Sequence, residues 1–264
     1  MSGRLWALTR QILAEQRRNV LVWGVSMGLL GLMYVALYPS FKDTLNEALK
    51  DFPEAYLKIF GISAGISGAA GFLNMEMFNL LSPLALPFFT ILMGARAVAG
   101  AEERKALDLL LSNPVPRWQL VVSRYLAMAA GLAVVLLMLA VLTWVAAPIM
   151  GVDLSFWAVA QGAANLWPFC LFFGALALLC SSLVRRGAAA SGIVAGVLIA
   201  MYVLNAVAGA VDSVKEVRRA SLFYYYGAAI LDGIDWVNFI VILLLSMGLT
   251  ALAVLAFNRR DVYT

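Results

Sequence analysis

Six stretches of this chain run apolar for about twenty residues or more, the length a helix needs to cross the hydrocarbon of a bilayer. They are Val20–Tyr38, Met77–Val98, Leu120–Ile149, Ala158–Val184, Ala188–Val211 and Trp236–Phe257. Runs of roughly 10 to 14 apolar residues suit the buried helices of soluble proteins, so blocks of this length name lipid as the solvent. Composition agrees: of 264 residues, 63% are hydrophobic and 13% charged, against about half and a quarter in soluble chains. Each span must satisfy its own backbone polar groups in lipid, which selects helices. The expected fold class is all-α integral membrane, with six transmembrane helices in a single domain over residues 1–264. Pro83, Pro87, Pro148 and Pro168 lie inside spans and predict local bends.

Residues 2–18 place Leu5, Leu8 and Ile12 at three- and four-residue spacing among Arg4, Arg10, Arg17 and Arg18. That pattern predicts an N-terminal amphipathic interfacial helix, its basic face on headgroups and its leucine face in the acyl boundary. Lys and Arg then set the orientation. With the N-terminus cytoplasmic, 13 of them fall on that side and 6 on the other, as the positive-inside bias requires. The expected protein is therefore multi-pass in the cell membrane, with both termini cytoplasmic. Two outer stretches remain. The first, residues 41–61, repeats apolar residues at helical spacing and predicts a surface helix broken near Pro53. The second, residues 212–235, carries Phe223, Tyr224, Tyr225 and Tyr226, rings that suit the headgroup level.

Several chemistries are excluded. The formal charge is +4, but every Lys/Arg cluster flanks a span, so no nucleic-acid partner is expected. Cys170 and Cys180 stand about 15 Å apart along one helix, too far to pair, and no metal-ligand spacing occurs. Gly65-Ile66-Ser67-Gly68 matches a short motif of intramembrane serine proteases, yet the chain has no histidine to act as base. The span middles lack Asp, Glu, Lys and Arg, which disfavours coupling through a titrating residue. No GxxxxGK[ST] phosphate loop is present.

Between the second and third spans lies a short amphipathic segment, residues 100–121. Leu107, Leu110 and Leu111 form one face, Glu102 and Glu103 suit the positive helix start, and Arg104 and Asp108 can pair at i,i+4. Pro114 and Pro116 end it. On these grounds alone it is either a headgroup-bound loop helix or a rigid element that a cytoplasmic protein can push.

The stretch AEERKALDLLLSNPVPRWQLVVSRYLA resembles the E-E-R-G-T-L-E-L-L-L-S-x-P-V-S-R pattern of permeases in ABC-2 type ATP-binding-cassette transporters. The likeness extends to Phe52-Pro53-Glu54-Ala55, Ser221-Leu222-Phe223-Tyr224-Tyr225 and Phe257-Asn258-Arg259-Arg260-Asp261, and departs at Lys105, Ala106 and Pro116. The resemblance implies that the segment is a cytoplasmic coupling helix between the second and third spans. It implies that Glu102, Glu103, Arg104, Leu107, Leu110, Leu111, Pro114 and Arg117 contact a separate nucleotide-binding ATPase subunit. Two such ATPases would serve a homo- or heterodimer of permeases, with ATP and Mg on the ATPase and no cofactor in this chain. Re-entrant or interfacial helices are implied between the fifth and sixth spans, and family precedent with the apolar spans favours an exporter of a drug, antibiotic or lipid.

Other spacings leave choices open. Gly24 and Gly28 in the first span, and Gly192 and Gly196 in the fifth, form GxxxG pairs that let helices approach closely in lipid, within one subunit or across a dimer. Gln161 and Asn165 share a face of the fourth span; with Asn205 they serve either helix packing or the translocation path. The competing functional class is a non-transporting membrane scaffold or assembly factor docking a cytoplasmic partner.

Overall fold

The computed structural model describes residues 2–48, 68–100 and 116–259. Every regular element among them is helical. The elements are α1 (Ser2–Ala48), α2 (Ala69–Leu73), a π-helical segment (Asn74–Leu81), α3 (Ser82–Ala95), α4 (Arg117–Ile149), α5 (Phe156–Leu183), α6 (Gly187–Ala210), a 3-10 helix (Asp212–Ala220), α7 (Leu222–Tyr226), α8 (Ala229–Asp232) and α9 (Trp236–Arg259). Six helices are long and apolar enough to cross a membrane, and the third to sixth begin and end within three residues of the boundaries expected from sequence.

The first two spans differ in extent. The N-terminal amphipathic helix is present, but it runs into the first span without a break. The 47 residues of α1 make a rod of about 70 Å at 1.5 Å per residue. No Gly or Pro separates Gly3 from Gly24, so nothing in the chain ends the ladder at the basic Arg17-Arg18 pair. Thr9 and Ile12 are buried, while Gln11–Glu15 and Asn19–Gln16 side-chain hydrogen bonds occupy the exposed face.

The second span begins at Ala69 rather than Met77. Its π-helical stretch ends where the Ser82 N–H donates to the Met77 carbonyl, five residues back. Pro83 follows directly; it has no N–H to continue a ladder, and its ring crowds the carbonyl four residues before it. A widened turn before the proline accommodates both facts.

Helix α5 is the centre of the bundle, with 67% of its most apolar window buried, against 17% for α6 and 22% for α9. It packs against α3, α4 and α9, while α1 lies along α4. Lipid offers no hydrophobic drive between helices, so close packing and interhelical hydrogen bonds must hold them. Thr90 Oγ1 on α3 donates to the Cys170 carbonyl at 2.7 Å, Trp167 Nε1 on α5 donates to the Ala129 carbonyl at 3.0 Å, and Tyr125 Oη meets Ser246 Oγ at 2.7 Å between α4 and α9. At the α3–α5 crossing, Gly94 lies against the Gly174 main chain.

The short helices after α6 divide the aromatic run by helical period. Phe223 and Tyr226, three apart, are buried against Phe169 of α5, with ring centroids at 5.0 and 5.1 Å. Tyr224 and Tyr225 remain exposed. Gly227 (φ 66) and Gly233 (φ 83) stop α7 and α8 in left-handed conformations that a side chain would strain. Residues 41–48 of the anticipated outer surface helix continue α1 without a break, whereas residues 49–61, and Gly65–Ser67 of the short motif, lie outside the described residues.

Candidate coupling site and the far end of the bundle

At the end of the bundle that carries both termini, the chain leaves α3, turns at Arg96–Val98 and re-enters helix at Ala99. A helix start leaves N–H groups without intrahelical acceptors. Here a side chain from another helix supplies the acceptor: Ser181 Oγ, fully buried near the end of α5, receives the Val98 N–H at 3.1 Å and the Ala99 N–H at 2.9 Å. Sequence reasoning missed Ser181. Its only signal was a Ser181-Ser182 pair closing an otherwise apolar span ahead of Arg185-Arg186.

Glu102, Glu103, Arg104, Leu107, Leu110, Leu111 and Pro114 lie outside the described residues. The chain is described again from Pro116, the extended cap residue of α4. Arg117 Nη1 donates to the Phe257 carbonyl at 3.2 Å, and its guanidinium lies 5.5 Å above the centroid of the Phe257 ring, itself buried. Residues 101–115 are thus bracketed by two anchors, one to the end of α5 and one to the end of α9.

A second residue that sequence reasoning passed over is Arg124, two turns into α4. Its Nε is buried without a hydrogen-bond partner among the described residues, beside Gln16 of α1 and Met93 of α3.

The opposite end holds the polar span residues. Asn165 Nδ2 donates to the Tyr226 carbonyl at 2.6 Å, tying α5 to α7. Gln161, one turn earlier, stays half-buried with its carbonyl oxygen toward Gly233. Asn205 Oδ1 accepts from Arg218 Nε at 2.8 Å, joining α6 to the 3-10 helix. The structure therefore brings Gln161 and Asn165 to the α7–α8 region, and Asn205 to a separate contact. Of the glycines, Gly24 and Gly28 face Met138 and Leu142 of α4, whereas Gly192 and Gly196 of α6 face nothing within 4 Å. Among the described residues no three His, Cys, Asp or Glu side chains converge to hold a metal.

A family model described as ABC-2 family transporter protein matches residues 6–262, nearly the whole of this bundle. The chain belongs to the ABC-2 transporter family. It is a multi-pass membrane protein and a permease subunit of an ABC transporter. ABC-2 permeases are membrane transport components without ATPase motifs that generally work with a nucleotide-binding ATPase subunit. Among curated proteins, none matches the chain.

Proposed function

We infer that this permease exports a hydrophobic or amphipathic molecule, driven by a separate ATPase that engages residues 101–117. The observation that carries the reading is the pair of anchors around that segment. A segment that only rested on headgroups would need no rigid attachment. This one is bracketed by Ser181, which holds the Val98 and Ala99 N–H groups, and by Arg117, which holds the end of α9. A push on the segment is thereby delivered to α5, at the centre of the bundle, and to α9, at its edge.

On this reading Glu102, Glu103, Arg104, Leu107, Leu110, Leu111, Pro114 and Arg117 meet the ATPase, which supplies ATP and Mg. Two permeases assemble with two ATPases, and both termini are cytoplasmic in the cell membrane. The apolar, outward-facing side chains of α6 and α9 and the scarcity of buried charge favour an apolar cargo.

The test is co-expression with the partner ATPase and co-purification. Replacing Leu107 and Leu111 together by Asp should abolish ATPase capture while membrane insertion is unchanged. Ser181→Ala should leave capture intact and lower transport per ATP hydrolysed, because the docked segment loses its grip on α5. Capture and transport that survive the double Asp substitution would refute the assignment.

A further inference from the structure

At the end of the bundle opposite the two anchors, a cavity of about 260 Å³ opens between the π-helical segment, the last turns of α6, the 3-10 helix and the α7–α8 pair. Pockets for whole drug-sized ligands run from about 300 to 1,000 Å³, so this one suits a headgroup.

Its chemistry is defined by one cation, one anion and a set of amides. Arg218 lines the cavity with its guanidinium held in place, Nε bonded to Asn205 Oδ1 at 2.8 Å and the plane 5.5 Å from the centroid of the Tyr224 ring. Arg has five N–H donors in a fixed fork. Only the Nε donor is spent among the described residues, which leaves the two terminal nitrogens for an oxyanion.

Asp232 lines the same cavity. It forms no ion pair with Arg218, and among the described residues the ion pair is Arg219 with Glu216. Asn74 also lines it, with only 4% of its surface exposed. Its side-chain amide brings donors and an acceptor to the cavity wall. That amide belongs to the π-helical segment, and such bulges recur at functional sites.

A simple anion would meet Arg218 but be repelled by Asp232, and a simple cation the reverse. A headgroup with both charges satisfies both residues and offers oxygen to Asn74. We propose that the cavity binds the zwitterionic phosphate–ammonium headgroup of a membrane amphiphile, phosphate on Arg218 and Asn74, ammonium on Asp232. Tyr202 and Tyr224 on its wall are side chains that favour the headgroup level of a bilayer. The inference stands apart from the coupling assignment, since binding is read without ATPase or transport.

The experiment is native mass spectrometry of the purified full chain in detergent, with phosphatidylethanolamine, phosphatidylglycerol, soluble phosphoethanolamine and inorganic phosphate as separate probes. Phosphatidylethanolamine should be retained over phosphatidylglycerol. Arg218→Ala should weaken its retention by at least about tenfold, the loss expected with hydrogen bonds to a charged group. Asp232→Asn, at an exposed position, should close the gap between the two lipids. Equal binding of soluble phosphoethanolamine would assign the site to free headgroups, and its failure to bind would assign it to membrane lipid; both keep the headgroup chemistry. Preference for phosphatidylglycerol or inorganic phosphate, or retention of phosphatidylethanolamine indifferent to both substitutions, would overturn it.

Discussion

Helices α1 and α6 of this permease carry the same Gly-x-x-x-Gly spacing and meet different surroundings. On α1, a methyl group added at Gly24 would lie 2.5 Å from the Met138 sulfur, and one at Gly28 would run into the Leu142 side chain. On α6, Gly192 and Gly196 face nothing within 4 Å, and Ile193 and Ile199 beside them are about half exposed. The spacing makes a helix surface flat enough for close approach; it does not say what approaches. Helix α1 finds α4 within its own chain, whereas α6 leaves its glycine face outward. The glycines of α1 are therefore part of the fold of one subunit, and those of α6 are available to something else.

The largest expected effect comes from a third glycine, which sets the scale for a closed seam. A Cβ at Gly94 would collide with the Gly174 carbonyl oxygen and stand 3.0 Å from the Leu178 nitrogen. Both obstacles are main chain, so no rotamer change relieves them and α3 must move off α5. Gly94→Ala should cost about 3 kcal/mol, the upper part of the range for overpacking, and be seen as a lost or early-melting monodisperse peak in detergent. A variant that melts with the wild type would show that the α3–α5 crossing is looser than described.

Gly28→Ala should cost less, about 1 to 2 kcal/mol, because the obstacles are Leu142 side-chain atoms rather than main chain: Cδ1 and Cγ can turn away, which leaves the Leu142 Cβ at 2.9 Å to be relieved by a small shift. Leu142→Ala removes the Cδ1 and Cγ overlaps and leaves only the Cβ contact. The double variant should therefore be more stable than the sum of the single changes allows, with a coupling of about 0.5 kcal/mol or more. Strict additivity in thermal melts would mean that α1 and α4 do not meet at this pair.

The same contrast explains what the sequence could and could not show. Spans three to six were legible because their hydropathy is uninterrupted and depends on no neighbour. The second span reads as starting at Met77 because Asn74 and Glu76 break the apolar run, and an amide at Asn74 makes sense only beside the cavity that it lines. The first span reads as starting at Val20 because the basic Arg17-Arg18 pair marks a boundary, although nothing there stops a helix.

The aromatic run at 223–226 reads as an interfacial anchor, yet half of it is core, since Phe169 can be known as its partner only in three dimensions. Arg117 was named from the resemblance, but its contact on Phe257 and the matching anchor Ser181 join residues 140 and 82 to 83 positions apart. No local pattern carries such pairings.

The smallest effect should fall on α6, and it bears most directly on assembly. Gly196→Ala adds a methyl group to open space, so the stability of a single subunit should change by no more than about 0.5 kcal/mol. If the α6 face is where a second permease subunit docks, a larger side chain must act on assembly alone. Gly196→Leu should then lower the dimer fraction in native mass spectrometry while the subunit melts as before. A loss of subunit stability comparable to that of Gly28→Ala would show that α6 is packed within its own chain. An unchanged dimer fraction would place the subunit contact on another helix and leave the α6 glycines facing lipid.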